Sequence, residues 1–172
     1  MSTYHFYKGG YAVPYDAFGM VVLKKKVDIP ALIASGVAGY SPLAVSGVKT
    51  ALGSIGFDTA DILEVFRVPA GFHVLGGGVR VTTVGDGTTS TIDVGVTTAA
   101  QTINGASAAY WLDDASLASA TTLIFNGSTG ATYTSFLQDC FIASGTIDIL
   151  FNATDDEGAA IFDIWVYGAK AF

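Results

Sequence analysis

Two short segments carry acid chemistry in the same frame. Ser90–Val96 reads STIDVGV and Gly145–Phe151 reads GTIDILF, so Asp93 and Asp148 each follow Thr-Ile and precede an aliphatic residue. Paired carboxylates can divide acid and base duties when their surroundings push their pKa values apart. In an extended chain, however, successive side chains point to opposite faces. Ile92, Val94 and Val96 then share one face, as do Ile147, Ile149 and Phe151, and both aspartates are directed away from the core. The repetition reads as the in-and-out rule of a sheet, not as a duplicated active site.

The remaining reactive residues form no coherent set. A serine or cysteine nucleophile needs a histidine base, and the chain has His5 and His73 alone. His5 falls in a terminal segment and His73 at the start of a strand, so both read as structural. Cys140, in LQDCFIAS, alternates with Gln138 and Ile142 and reads as a small core residue. A single cysteine permits neither an intrachain disulfide nor a zinc cluster of cysteines. Glycoside hydrolysis could in principle combine one of the two glutamates, Glu64 or Glu157, with an aspartate, but it also needs a cleft lined by aromatic and polar groups. Asn152–Gly158 (NATDDEG) is the densest acidic stretch, and Asp155, Asp156 and Glu157 are candidate Ca²⁺ ligands. Their spacing is not that of a regular calcium loop, and a solvated hairpin turn is the plainer reading, as it is for Asp113-Asp114. Gly76-Gly77-Gly78 is not followed by Lys-Ser/Thr, so it is no phosphate loop. No cofactor is expected, and no enzymatic activity.

Composition points elsewhere. Of 172 residues, 51% are apolar and 13% charged, against roughly 25% charged in an ordinary soluble domain. Mean hydropathy is +0.50, yet Gly, Thr, Ser and Asp interrupt every apolar run well short of a membrane span. Such a chain has more apolar surface than one core needs, and the excess is expected to lie against other subunits. The net charge of −7 disfavours a phosphate backbone as partner. Lys24-Lys25-Lys26 reads as a solvated strand edge or arm, or as a contact to an acidic partner surface. The first ten residues carry no apolar segment with a cleavage site, so folding in a cytoplasm is expected.

The elements that position these residues are strands. Ile62–Val68 (ILEVFRV) is β-branched and aromatic and stops at Pro69-Ala70-Gly71. Phe72–Val84, Thr89–Thr97, Ala109–Leu112, Thr121–Phe125, Ser135–Ala143, Thr146–Phe151 and Ala160–Tyr167 follow. About eight strands at this spacing, with 21 glycines between and within them, predict an all-β, jelly-roll-like antiparallel β-sandwich. Short helices are expected at Ile29–Ser35 and Ala115–Ala120. Residues 1–20 form an extended N-terminal arm, and 21–172 a single sandwich domain. Within it, 21–60 is a lead-in with a possible edge strand at Met20–Val27. In AIFDIWVYG, Phe162, Ile164 and Val166 face one way and Ile161, Asp163, Trp165 and Tyr167 the other. Ile161, Trp165 and Tyr167 are therefore interface candidates, with Tyr4, Phe6, Tyr7 and Tyr11 of the arm.

The run from Asp61 to Val96 also resembles a known group. Pro69-Ala70-Gly71 closing a strand, Val79-Arg80-Val81 in the next, and Thr91-Ile92-Asp93-Val94-Gly95 after a Thr-rich turn are similar to small structural proteins of tailed-bacteriophage virions. Tyr110–Leu117 (YWLDDASL) is similar to the segment that follows in them. The resemblance spans about sixty residues clearly, and the C-terminal strands loosely. It implies a jelly-roll-like fold and a capsid decoration or cement protein: a dimer or trimer contacting the major capsid protein, located in the virion after assembly in the host cytoplasm. It brings no catalytic residues. The rival expectation is a glycan-binding β-sandwich of a tail fibre or surface assembly, using Trp111, Trp165 or tyrosines as sugar platforms. Neither reading calls for nucleic acid or a membrane.

Overall fold

A computed structural model describes residues 3–5, 20–37, 44–45, 56–57, 61–86, 89–98, 107–125, 140–152 and 157–170. In chain order the elements are β1 (Thr3–His5), β2 (Met20–Asp28), α1 (Ile29–Val37), β3 (Ala44–Val45), β4 (Ile62–Val68), β5 (Phe72–Thr83), β6 (Thr91–Val96), β7 (Ser107–Ser116), β8 (Thr122–Ile124), β9 (Gly145–Phe151) and β10 (Ile161–Lys170). They make a six-stranded sheet in the order β3-β1-β4-β9-β6-β7 and a four-stranded sheet in the order β2-β10-β5-β8. Setting aside two short elements at one edge, β1 and β3, the pairing is nested. β2 pairs with β10, β4 with β9, β5 with β8 and β6 with β7, all antiparallel. A long hairpin of eight strands rolled so that its two halves face one another is the jelly roll, and it is an all-β sandwich.

The alternation read from the sequence sets the core. Phe162, Ile164 and Val166 of β10, Ile92, Val94 and Val96 of β6, and Ile147, Ile149 and Phe151 of β9 are all fully buried. Each such side chain contributes about 1.5–3 kcal/mol through burial. Helix α1 starts where Asp28, closing β2, accepts the Ala31 amide at 3.1 Å and Pro30 occupies the first turn, a cap arrangement that needs no partner from elsewhere.

Two expectations need correction, and a third is half met. Ala115–Ala120 is not helical. Ala115 and Ser116 end β7, and Leu117, fully buried, donates its amide to Ser90 and accepts that of Gly85, both at 2.9 Å. Pairing with distant backbone overrides alanine's helix preference. Glu157, expected in a solvated turn, is fully buried. Its Oε1 accepts the amides of Ala159 at 3.0 Å and Ala160 at 2.8 Å, and its backbone bridges Phe57. Of Ser135–Ala143, residues 135–139 lie outside the described residues, and Cys140 joins only an isolated bridge to His73.

The lysine run sits on β2, an edge of the smaller sheet, as read, but its members diverge. Lys24 and Lys26 are exposed, whereas Lys25 is half-buried and donates from Nζ to the Val65 carbonyl at 3.2 Å. Val65 lies where β4 and β9 slip register. Burial lowers the Lys25 pKa from 10.5 to about 8. Between those values the unfolded chain holds a proton there that the folded chain has released, so stability rises with pH across this window. The cost is fully felt below pH 8. Urea midpoints at pH 7 and pH 10 should show this rise in the native protein and lose its Lys25 share in Lys25→Met.

Candidate functional site: the outer face of the four-stranded sheet

The paired aspartates are occupied by the backbone. Asp93 sits opposite a bulge, where β6 spends one residue between Ile92 and Val94 while β7 spends two between Leu112 and Ala115. The extra residue, Asp114, takes a left-handed φ of 50°, and its amide donates to Asp93 Oδ1 at 2.8 Å. Asp148 Oδ2 accepts the Thr97 amide at 3.0 Å and the Thr97 hydroxyl. The pleat directs both carboxylates away from the inter-sheet core, as read, yet both are buried. Burial raises the Asp93 pKa, and the charges of Asp113 and Asp114 add to it. Carboxylate oxygens of Asp93, Asp113 and Asp114 lie within 4.8 Å of one another, and the hydrogen bond that stitches the bulge accounts for that proximity. Asp155 and Asp156 lie outside the described residues.

The described surface also carries exposed apolar side chains. Among the described residues the large exposed hydrophobics are Met20, Val22, Leu75, Val84, Ile124, Ile142 and Tyr167. Five of these (Met20, Val22, Leu75, Ile124 and Tyr167) belong to the four-stranded sheet. Strand register places them in rows across its outer face. Met20 opposes Ala169, which opposes His73; Val22 opposes Tyr167, which opposes Gly76. Lys24, Trp165, Gly78 and Ile124 form the next row, and Lys26, Asp163, Arg80 and Thr122 the one after. Leu75 is the added residue where β10 and β5 change register beyond Tyr167.

Glycines shape this face. A Cβ on Gly78 would stand 2.6 Å from Cζ2 of Trp165, so the indole lies across the glycine backbone and forms a flat, half-buried plate. Among the described residues, the chain neighbours of Gly76 aside, nothing stands within 4 Å of where a Cβ on Gly76 would be, which leaves a notch beside Tyr167. Toward the other end the face turns charged. Lys24 and Asp163 are 3.6 Å apart, and Arg80 is exposed with no ion pair among the described residues.

The expected outward aromatics of β10 are thus brought together, with Trp165 half-buried, Tyr167 exposed and Ile161 further along the same strand. The Tyr4 backbone pairs with Val45 and Leu63 inside the six-stranded sheet, and Phe6, Tyr7 and Tyr11 lie outside the described residues. Trp111, expected as a possible sugar platform, is fully buried, stacked near Phe125 at 6.2 Å. The sequence reading missed Met20, Val22 and Ile124. Their signal was there: Met20 and Val22 are in phase with outward Lys24 and Lys26, and Ile124 lies between inward Leu123 and Phe125.

No protein-family model and no curated protein matches this sequence. Solved structures do match in fold. A chain in the capsid of Ralstonia phage GP4 superposes with a TM-score of 0.56 at 11% identity, over 93% of this chain and 90% of that one. A chain in the capsid asymmetric unit of cyanophage Pam1 does so with a TM-score of 0.50 at 16% identity, over 95% of each. The coverage makes both chains about as long as this one.

Proposed function

We propose that this protein is a non-enzymatic structural protein of a phage virion, a decoration or cement protein that stabilises the head by apolar contact. The observation that carries this reading is the apolar outer face around Trp165 and Tyr167, on a fold whose solved counterparts are whole capsid chains of similar length. Trp and Tyr are favoured anchors of protein contacts, and a continuous apolar patch on a folded chain marks an interaction surface. In this reading the partners are further copies of the chain, as a dimer or trimer, and the major capsid protein. The protein resides in the virion after assembly in the host cytoplasm. The net charge of −7 suits a position on the outside of a shell better than one against packaged nucleic acid.

One observation favours a second reading. An indole lying flat on a sheet is also a platform for a sugar ring, as in a glycan-binding module of a tail fibre. Mass spectrometry of purified particles with copy-number calibration separates the two. A copy number in proportion to the shell subunits is expected. A handful of copies, or none, overturns the decoration role, and glycan binding abolished by Trp165→Ala would then support the tail reading.

A further inference from the structure

We propose that two copies of this chain associate face to face through the outer surface of the four-stranded sheet, about a two-fold axis running along the strands between β10 and β5. This rests on reading that surface as a contact and names its occupant. A rotation about such an axis keeps each row opposite its own counterpart and sets β10 of one copy over β5 of the other. Tyr167 then meets the notch over Gly76. The two Trp165 indoles, each lying across its own Gly78, come together near the axis as stacked plates. Asp163 meets Arg80 of the second copy, twice over, because the two residues are neighbours in one row.

Charge decides between the possible axes. An in-plane two-fold perpendicular to the strands and centred on the Trp165 row would lay Lys26, Asp163 and Arg80 over Val22 and Tyr167 and desolvate them without partners. The axis along the strands gives Arg80, exposed and without an ion pair among the described residues, a carboxylate. It also leaves Lys24, 3.6 Å from Asp163, at the rim. The face is large enough. Strands of up to twelve residues, about 3.3 Å per residue and about 4.8 Å apart, offer about 500 Å² in each copy. The pair buries about 1,000 Å², the threshold for a specific contact. The edge of the sheet is a poorer route to association, since inward-pointing Lys25 on β2 opposes strand addition there.

The test is charge exchange in the full chain, read by sedimentation equilibrium, with near-ultraviolet circular dichroism confirming the fold of each variant. The native protein should dimerise. Asp163→Arg and Arg80→Asp should each raise the dimer dissociation constant about tenfold or more, and the double variant should return it to within about threefold of native. A monomeric native protein, an oligomer indifferent to both single changes, or a double variant as weak as the singles overturns the contact. Particle incorporation is scored separately. Native protein abundant on particles with no charge-exchange effect removes this contact and leaves the virion role. A dimer that responds as expected but is absent from particles does the reverse.

Discussion

Phe151→Ala is expected to destabilise the protein by about 3–5 kcal/mol, a large share of the roughly 5–15 kcal/mol that holds a domain together. The Phe151 ring is fully buried and stacks on Phe57 with centroids 4.2 Å apart and planes 4° from parallel. The same strand end is tied by the Phe151 amide to the Asp61 carbonyl at 2.9 Å. Phe57 in turn exchanges both backbone hydrogen bonds with Glu157. Truncation leaves a cavity bounded by β9 and by residues fixed through other bonds, so the site collapses poorly. Phe151→Leu should recover about half of the loss. Chemical denaturation with matched m-values checks both changes.

Gly77→Val should be at least as damaging. A Cβ at this position of β5 would stand 2.3 Å from the Trp165 carbonyl oxygen and 2.4 Å from the Phe125 ring. The ring could turn aside, but the oxygen belongs to β10, and moving it parts the central strand pair of the sheet. Overpacking typically costs about 1–3 kcal/mol, and contact with backbone places this change at or beyond the upper end. Gly77→Ala should cost less than valine. Adding Phe125→Leu to it should recover only part of the loss, because the contact with the Trp165 oxygen remains. Thermal melts of the three variants check the order.

Much of this was legible in advance because strand alternation is a local rule. The inward sets of β6, β9 and β10 follow from period two, and every residue the spacing picks out is buried. The proline and glycine after Val68 mark a turn wherever they occur, and Gly71 duly takes a φ of 79°. Non-local packing was not legible. Alternation said that Asp93 and Asp148 point away from the inter-sheet core, but not that they would be buried and bonded to the amides of Asp114 and Thr97. Nor could it place Trp111, since β7 carries a bulge that breaks the period beside it. Ala115–Ala120 misled for a related reason: helix preference is intrinsic to the residue, while the bonds of Leu117 to Ser90 and Gly85 depend on segments far away in sequence. The candidate face was half visible, with its aromatics found from β10 alone. Its aliphatic residues are outward by the same alternation, but placing them on one face required knowing that β2, β5 and β8 lie in the same sheet as β10.

The central claim is that the outer face of the β2-β10-β5-β8 sheet is covered in the assembled state. Hydroxyl-radical footprinting of purified particles against the released, refolded protein tests it directly. Labelling of Trp165 and Tyr167 should fall several-fold on assembly. Equal labelling of both aromatics in the two states would contradict the account.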